Sequence, residues 1–253
     1  MKIITLSLMT LLFWSNPCHA AVDSVMITHF RQITKLIESN NVQELSKFVD
    51  YPLKRENPLP DIKNAADFIS DYPILIDSLF KKLLNQYNDS DIFEHNGYYG
   101  FIEGKFSGAI WLDEDGNIVT INYSSKAEQK AKQLLIEKIK KEMYPTVNKW
   151  NENVLVAKSE KLLIRIDQTD KGVRYVCWSK AKTMKDAPDI ILNNGVEDGG
   201  EWGWTSTFKN GDWTYIVDDV EMCEDDHPDE CGLFLELSFK GEKKNTIRLQ
   251  EIK

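Results

Sequence analysis

The stretch Trp202-Gly203-Trp204-Thr205-Ser206-Thr207-Phe208-Lys209-Asn210-Gly211-Asp212-Trp213-Thr214-Tyr215-Ile216-Val217 decides the architecture of the second half of this chain. At its centre, Asn210-Gly211 is the strongest turn signal in the sequence, because tight hairpin turns need left-handed backbone that Asn and Gly adopt at low cost. The flanking residues alternate with a period of two, so two strands pair across the turn. Counting outward pairs Phe208 with Trp213, Ser206 with Tyr215 and Trp204 with Val217. One face of the hairpin then carries Trp202, Trp204, Phe208, Trp213 and Tyr215. A face of this kind is a sheet core, a protein-recognition surface or a carbohydrate platform.

Further strands are predicted on either side, over residues 154–157, 162–167, 173–178, 189–192, 233–239 and 246–251, with Asp170-Lys171-Gly172 marking a second hairpin. Strands at this spacing without intervening helices predict a mostly antiparallel β domain over residues 151–253, a sandwich or an open barrel.

The preceding residues follow another rule. Met26, Phe30, Ile33 and Ile37 form one helical stripe. Asn41 caps a short second helix that turns Leu45, Phe48 and Val49 inward, and three prolines between Pro52 and Pro60 then force extended chain. Asn64 caps the next helix, and Ile76, Phe80, Leu83 and Leu84 follow Pro73 in a further one. Strands over 105–112 and 117–123 flank Asp113-Glu114-Asp115-Gly116, and the capping box Ser125-Lys126-Ala127-Glu128 opens a long helix ended by Pro145. The expected class is α+β: a helical N-terminal half over residues 21–150 with a curved antiparallel sheet, then the β domain. Trp150, in the boundary segment, reads equally as a packing anchor.

The early helix, Phe48-Val49-Asp50-Tyr51, the capped 64–69 helix and the later hairpin resemble the cone-shaped fold of the nuclear transport factor 2 family over less than half of the chain. That resemblance implies a helix-lined concavity. The long helix from Ser125 and the β half have no place in its small members. Tyr51-Pro52-Leu53, Asn57-Pro58-Leu59-Pro60 and Gly108-Ala109-Ile110-Trp111 resemble exported bacterial proteins of uncharacterised activity, which implies export.

The N-terminus supports export directly. Lys2, an apolar run to Trp14 and Cys18-His19-Ala20-Ala21 have the order of a secretion signal, residues 1–20, cut after Ala20. The apolar run is too short to span a bilayer, so the mature chain is expected in the periplasm or outside the cell, with no membrane insertion. Without Lys2 it keeps 30 basic against 40 acidic residues, a formal charge of −10. That repels nucleic acid and permits a basic protein partner. Most of the excess lies beyond residue 150, with −7 there against −3 over residues 21–150.

In an oxidising compartment Cys223 and Cys231 close a small loop, worth about 2–3 kcal/mol. Cys177, sharing a strand face with Val173 and Tyr175, is then a buried thiol, although a pairing of Cys177 with either of the others stays open. The loop between Cys223 and Cys231 holds Glu224, Asp225, Asp226, His227, Asp229 and Glu230. These carboxylates suit a solvated loop, a surface for a basic protein or hard oxygen ligands to calcium. Asp113-Glu114-Asp115-Gly116 fails as a calcium loop, since Gly116 stands fourth and Ser124 twelfth; it is a turn.

Catalytic signatures are missing: there is no Gly-x-Ser-x-Gly elbow and no His-Glu-x-x-His helix, and His29, His95 and His227 are scattered. No cofactor or metal is expected. The reading that follows is an exported non-catalytic binding protein, an inhibitor or immunity protein that neutralises a toxin or hydrolase in the envelope. Candidate contacts are the loop carboxylates together with Trp202, Trp204, Trp213 and Tyr215. The alternatives are an envelope hydrolase using carboxylates and a glycan or small-ligand binding protein.

Overall fold

The computed structural model describes residues 24–101, 108–179, 181–200, 203–221 and 230–253. They form two compact units, one from residues 24–50 with Ser78–Tyr123 and one from Tyr51–Asp77 with Ser124–Lys253.

In the first unit, helix α1 (Ser24–Glu38) buries Met26, Phe30, Ile33 and Ile37, the stripe expected from their spacing. Asn41 caps α2 (Val42–Leu45) by accepting the Glu44 N–H. Strands β1 (Ile92–His95), β2 (Tyr98–Phe101), β3 (Ile110–Leu112) and β4 (Ile118–Ile121) make an antiparallel sheet in chain order. Phe101 anchors it through the rings of Phe30 and Tyr87, 4.4 and 4.7 Å away. The β3–β4 turn is held by Asp113, whose carboxylate accepts the Asn117 backbone N–H at 2.7 Å.

The second unit begins with extended chain containing cis Tyr51–Pro52 and Asn57–Pro58 bonds, followed by α3 (Ala65–Leu75). This helix runs through Pro73, and the next, α4 (Ser78–Leu84), belongs to the first unit. Ser125 caps α5 (Lys126–Glu142), accepting the Glu128 N–H at 3.0 Å. Glu128 is buried, and its carboxylate pairs with both Nε and an Nη of Arg55, at 2.7 and 2.5 Å.

Eight strands complete this unit: β5 (Glu152–Lys158), β6 (Leu162–Thr169), β7 (Gly172–Ser179), β8 (Ile190–Gly200), β9 (Gly203–Asn210), β10 (Trp213–Val220), β11 (Gly232–Phe239) and β12 (Glu242–Glu251). Each pairs antiparallel with the next, and β12 returns to β5 through Gln250 opposite Lys158 and Glu251 opposite Ala157.

These observations overturn the expected α+β class. The chain is mostly β with 29% helix, built from a closed eight-stranded barrel and a four-stranded sheet, and not a helical N-terminal half carrying a curved sheet. The barrel is neither a sandwich nor open. Closure rests on a short β12–β5 seam between strands about ninety residues apart, for which local alternation carries no signal.

Interior positions are filled, as eight strands allow. Ile164, Ile166, Tyr175, Phe208, Val217 and Leu235 are among the buried residues that meet there. The outer face of β6 and β7 is covered as well. Val176 and Trp178 pack against Met143, Val147 and Trp150 from the end of α5 and the segment after it, so β7 is buried from Val173 to Trp178 on both faces.

Candidate functional site

The Asn210-Gly211 hairpin forms with a register two residues from the sequence count. Asn210 is the last residue of β9, opposite Trp213, and the turn residues are Gly211, at φ +60°, and Asp212. Phe208 therefore faces Tyr215, and Trp204 faces Asp219. A shift of two preserves the face, so Trp204, Phe208, Trp213 and Tyr215 stay on one side, that of the barrel core. Trp204 and Tyr215 pack against the barrel core, whereas Trp213 stands at the rim, 38% exposed, with its ring 5.1 Å from Phe239. Trp202, Cys223, Glu224, Asp225, Asp226 and Asp229 lie outside the described residues, and Glu230 is exposed just before β11. Cys177 is a free thiol inside the barrel, its pKa pushed up by burial.

One end of the barrel is acidic. Asp198, Thr205 and Asp218 align across β8, β9 and β10, and Thr205 Oγ1 donates to Asp218 Oδ1 at 2.6 Å. Asp219 follows, and Glu221 lies just past the strand. Burial, then the negative charge of Glu221, lifts the Asp219 carboxyl above the usual range, with Asp218 adding to the rise and Lys54 opposing it. The carboxylates repel one another here, the field a cationic partner would relieve.

A second charged region, on the outer face of β6 and β7, was not singled out from the sequence. Asp167 is fully buried and serves two arginines: Arg165 Nε donates to Oδ1 at 2.8 Å, and an Arg174 Nη donates to Oδ2 at 2.9 Å. The same Arg174 nitrogen donates to the Val147 carbonyl at 2.7 Å. Lys140 and Arg165 both lie over the Trp150 ring, 4.4 and 4.6 Å from its centre. Burial holds the Arg165 pKa down, partly offset by Asp167, with Arg174 lowering it further. The cluster borders a cleft of about 620 Å³ lined by Lys140, Lys149, Trp150, Lys171 and Arg174. Its one sequence signal was Trp150, an indole standing in a helix-breaking segment.

A third group, Asp67, Asp71 and Glu128, gathers between α3 and α5. Burial raises the Asp71 carboxyl, with Asp67 and Glu128 adding to the rise. Glu128 is tied to Arg55, which fixes it as a strut between α5 and the extended segment. Among the described residues no cluster of His, Cys, Asp and Glu has the makings of a metal site, and no helix is long and apolar enough to cross a membrane. Comparison with models of protein families finds no match, and comparisons with curated proteins and with solved structures find none either.

Proposed function

We propose that this chain is an exported, non-catalytic binding protein of the bacterial envelope, an inhibitor or immunity protein whose barrel presents an acidic end to a basic toxin or hydrolase. The observation that carries this reading is the gathering of Asp198, Asp218, Asp219 and Glu221 at the end of the barrel from which the 222–229 segment departs. That segment adds Glu224, Asp225, Asp226 and Asp229 by sequence. A Cys223–Cys231 bridge would hold the carboxylates beside the strand ends. Trp213, the most exposed of the described candidate aromatics, starts β10 at the opposite end of that strand from Asp218 and Asp219, so it lies apart from the acidic end.

The test is affinity capture from the native host with the chain from Ala21 as bait, run beside a variant carrying Asp198→Asn and Asp218→Asn. One stoichiometric basic protein should be retained, released by salt as screened charge pairs are, and lost by the variant. Capture of no protein, or equal retention by the variant, would overturn the reading.

A further inference from the structure

The cleft on the outer face of β6 and β7 has a sign opposite to that of the chain as a whole. Lys140, Lys149, Lys171 and Arg174 line it against one carboxylate, Asp170, which accepts from Asn151 Nδ2 at 2.9 Å. Three positive charges are thus in excess within about 620 Å³, on a protein whose formal charge is −9. Concentrating like charges is unfavourable unless a counter-charge sits among them. The protein supplies only part of it: behind the cleft, Arg165 and Arg174 share the single carboxylate of Asp167.

Arg174 shows where the rest belongs. It is 6% exposed, and one Nη is saturated by Asp167 and the Val147 carbonyl. Its Nε is buried and has no hydrogen-bond partner among the described residues, as is also true of Trp150 Nε1 beside it. A buried guanidinium donor without an acceptor carries an uncompensated desolvation cost. Three lysines around such a guanidinium match a ligand that brings several charged acceptor oxygens at once.

We infer that this cleft is a binding site for a phosphate-bearing ligand, held by Arg174 from beneath and by Lys140, Lys149 and Lys171 around the rim. A phosphate group carries about two negative charges on three acceptor oxygens, the ratio this cleft needs. The volume lies within the range of small-molecule sites and leaves room for a second anionic group. The same chemistry is offered by soluble phosphate esters and by lipid headgroups. This inference stands apart from the acidic end of the barrel, and each can fail without the other.

The experiment is calorimetric titration of the chain from Ala21, at low ionic strength, with inorganic pyrophosphate and with citrate, together with co-sedimentation on phosphatidylglycerol vesicles. Pyrophosphate should bind at one site and more tightly than citrate. Lys149→Ala combined with Lys171→Ala should weaken it about tenfold or more, since both side chains are exposed and the fold does not depend on them. Arg174→Lys keeps the charge and removes Nε, and should weaken it at least as much. Should that buried variant fail to fold, the double lysine variant, checked by circular dichroism, still decides. Binding of pyrophosphate with no sedimentation would assign a soluble phosphate ester, and sedimentation lost in the lysine variant would assign a headgroup. No binding of either probe, citrate tighter than pyrophosphate, or a lysine variant that binds like the parent would overturn the site.

Discussion

Replacing Gly195 by Ala tests whether the barrel is a packed core or a hollow that a ligand could fill. Gly195 lies on β8 opposite Val173, and a methyl carbon there would stand 2.2 Å from Phe208 Cε1 and 2.7 Å from Cδ1. Carbon atoms rest at about 3.5–4.0 Å, so the ring must retreat by about 1.3–1.8 Å. Phe208 is 1% exposed, and its ring centre is 5.4 Å from that of Tyr175, itself buried, so the retreat propagates into the next strand. Overpacking of this kind costs about 1–3 kcal/mol. Alanine's smaller unfolded-state entropy returns about 0.4–1 kcal/mol, which places the net loss in the lower half of that range. Phe208→Leu alone should cost about 1 kcal/mol, and the double variant should be less destabilised than the sum by about 1 kcal/mol, because the shorter side chain vacates the space the methyl takes. Urea unfolding followed by tryptophan fluorescence reports on this unit, since five of the six tryptophans after residue 20 lie beyond residue 124. The midpoint should move at constant slope. A Gly195→Ala protein as stable as the parent, or strict additivity with Phe208→Leu, would mean that the ring has free space behind it, and the packed-core account would fail.

The aromatic candidates separate in the same way: Trp204→Ala, which removes a ring packed on the core, should cost about 3 kcal/mol, while Trp213→Ala, at the end of β10 away from the acidic residues, should cost under about 1 kcal/mol and leave partner capture unchanged. Equal losses in thermal melts of the two variants would contradict their placement. Asp219 gives a pH signature. Its folded-state pKa is raised, so the folded chain holds the proton more tightly than the unfolded one, and stability from this group falls as pH rises from the ordinary aspartate value, about 4, through the raised one. Asp219→Asn should therefore raise the melting temperature at pH 7, with the gain disappearing below about pH 4; a loss at pH 7, or a gain unchanged on acidification, would refute the assignment.

Local rules recovered the local features. The α1 stripe, the Asn41, Asn64 and Ser125 caps and the strand alternation each depend on residues a few positions apart, and each is present. Register at the Asn210-Gly211 turn missed by two because the turn closes on Asn210 itself, pairing it with Trp213 and leaving Gly211 and Asp212 at the tip. Closure of the barrel was not legible, since β5 and β12 meet through two residue pairs across the whole β domain.

The outer face of β6 and β7 was hidden for a different reason. Arg165, Asp167 and Arg174 alternate with Ile164, Ile166, Val173 and Tyr175, which is the pattern of a half-exposed strand with its polar side in water. What buries that side is the chain from Met143 to Trp150, and no periodicity in β6 or β7 announces a cover supplied by another segment. Summed charge misled in the same direction. The −7 counted beyond residue 150 hides an uneven placement: carboxylates gather at the β8–β10 end, while Lys171 and Arg174 meet Lys140 and Lys149, which precede residue 150 and fall outside that count, at the α5-covered face. A buried arginine pair on one aspartate is an inefficient way to gain stability, since isosteric apolar residues would do as well or better. Beneath a cleft lined by further cations, its surplus positive charge is placed where it can act on an anion, the role the calorimetric titration tests.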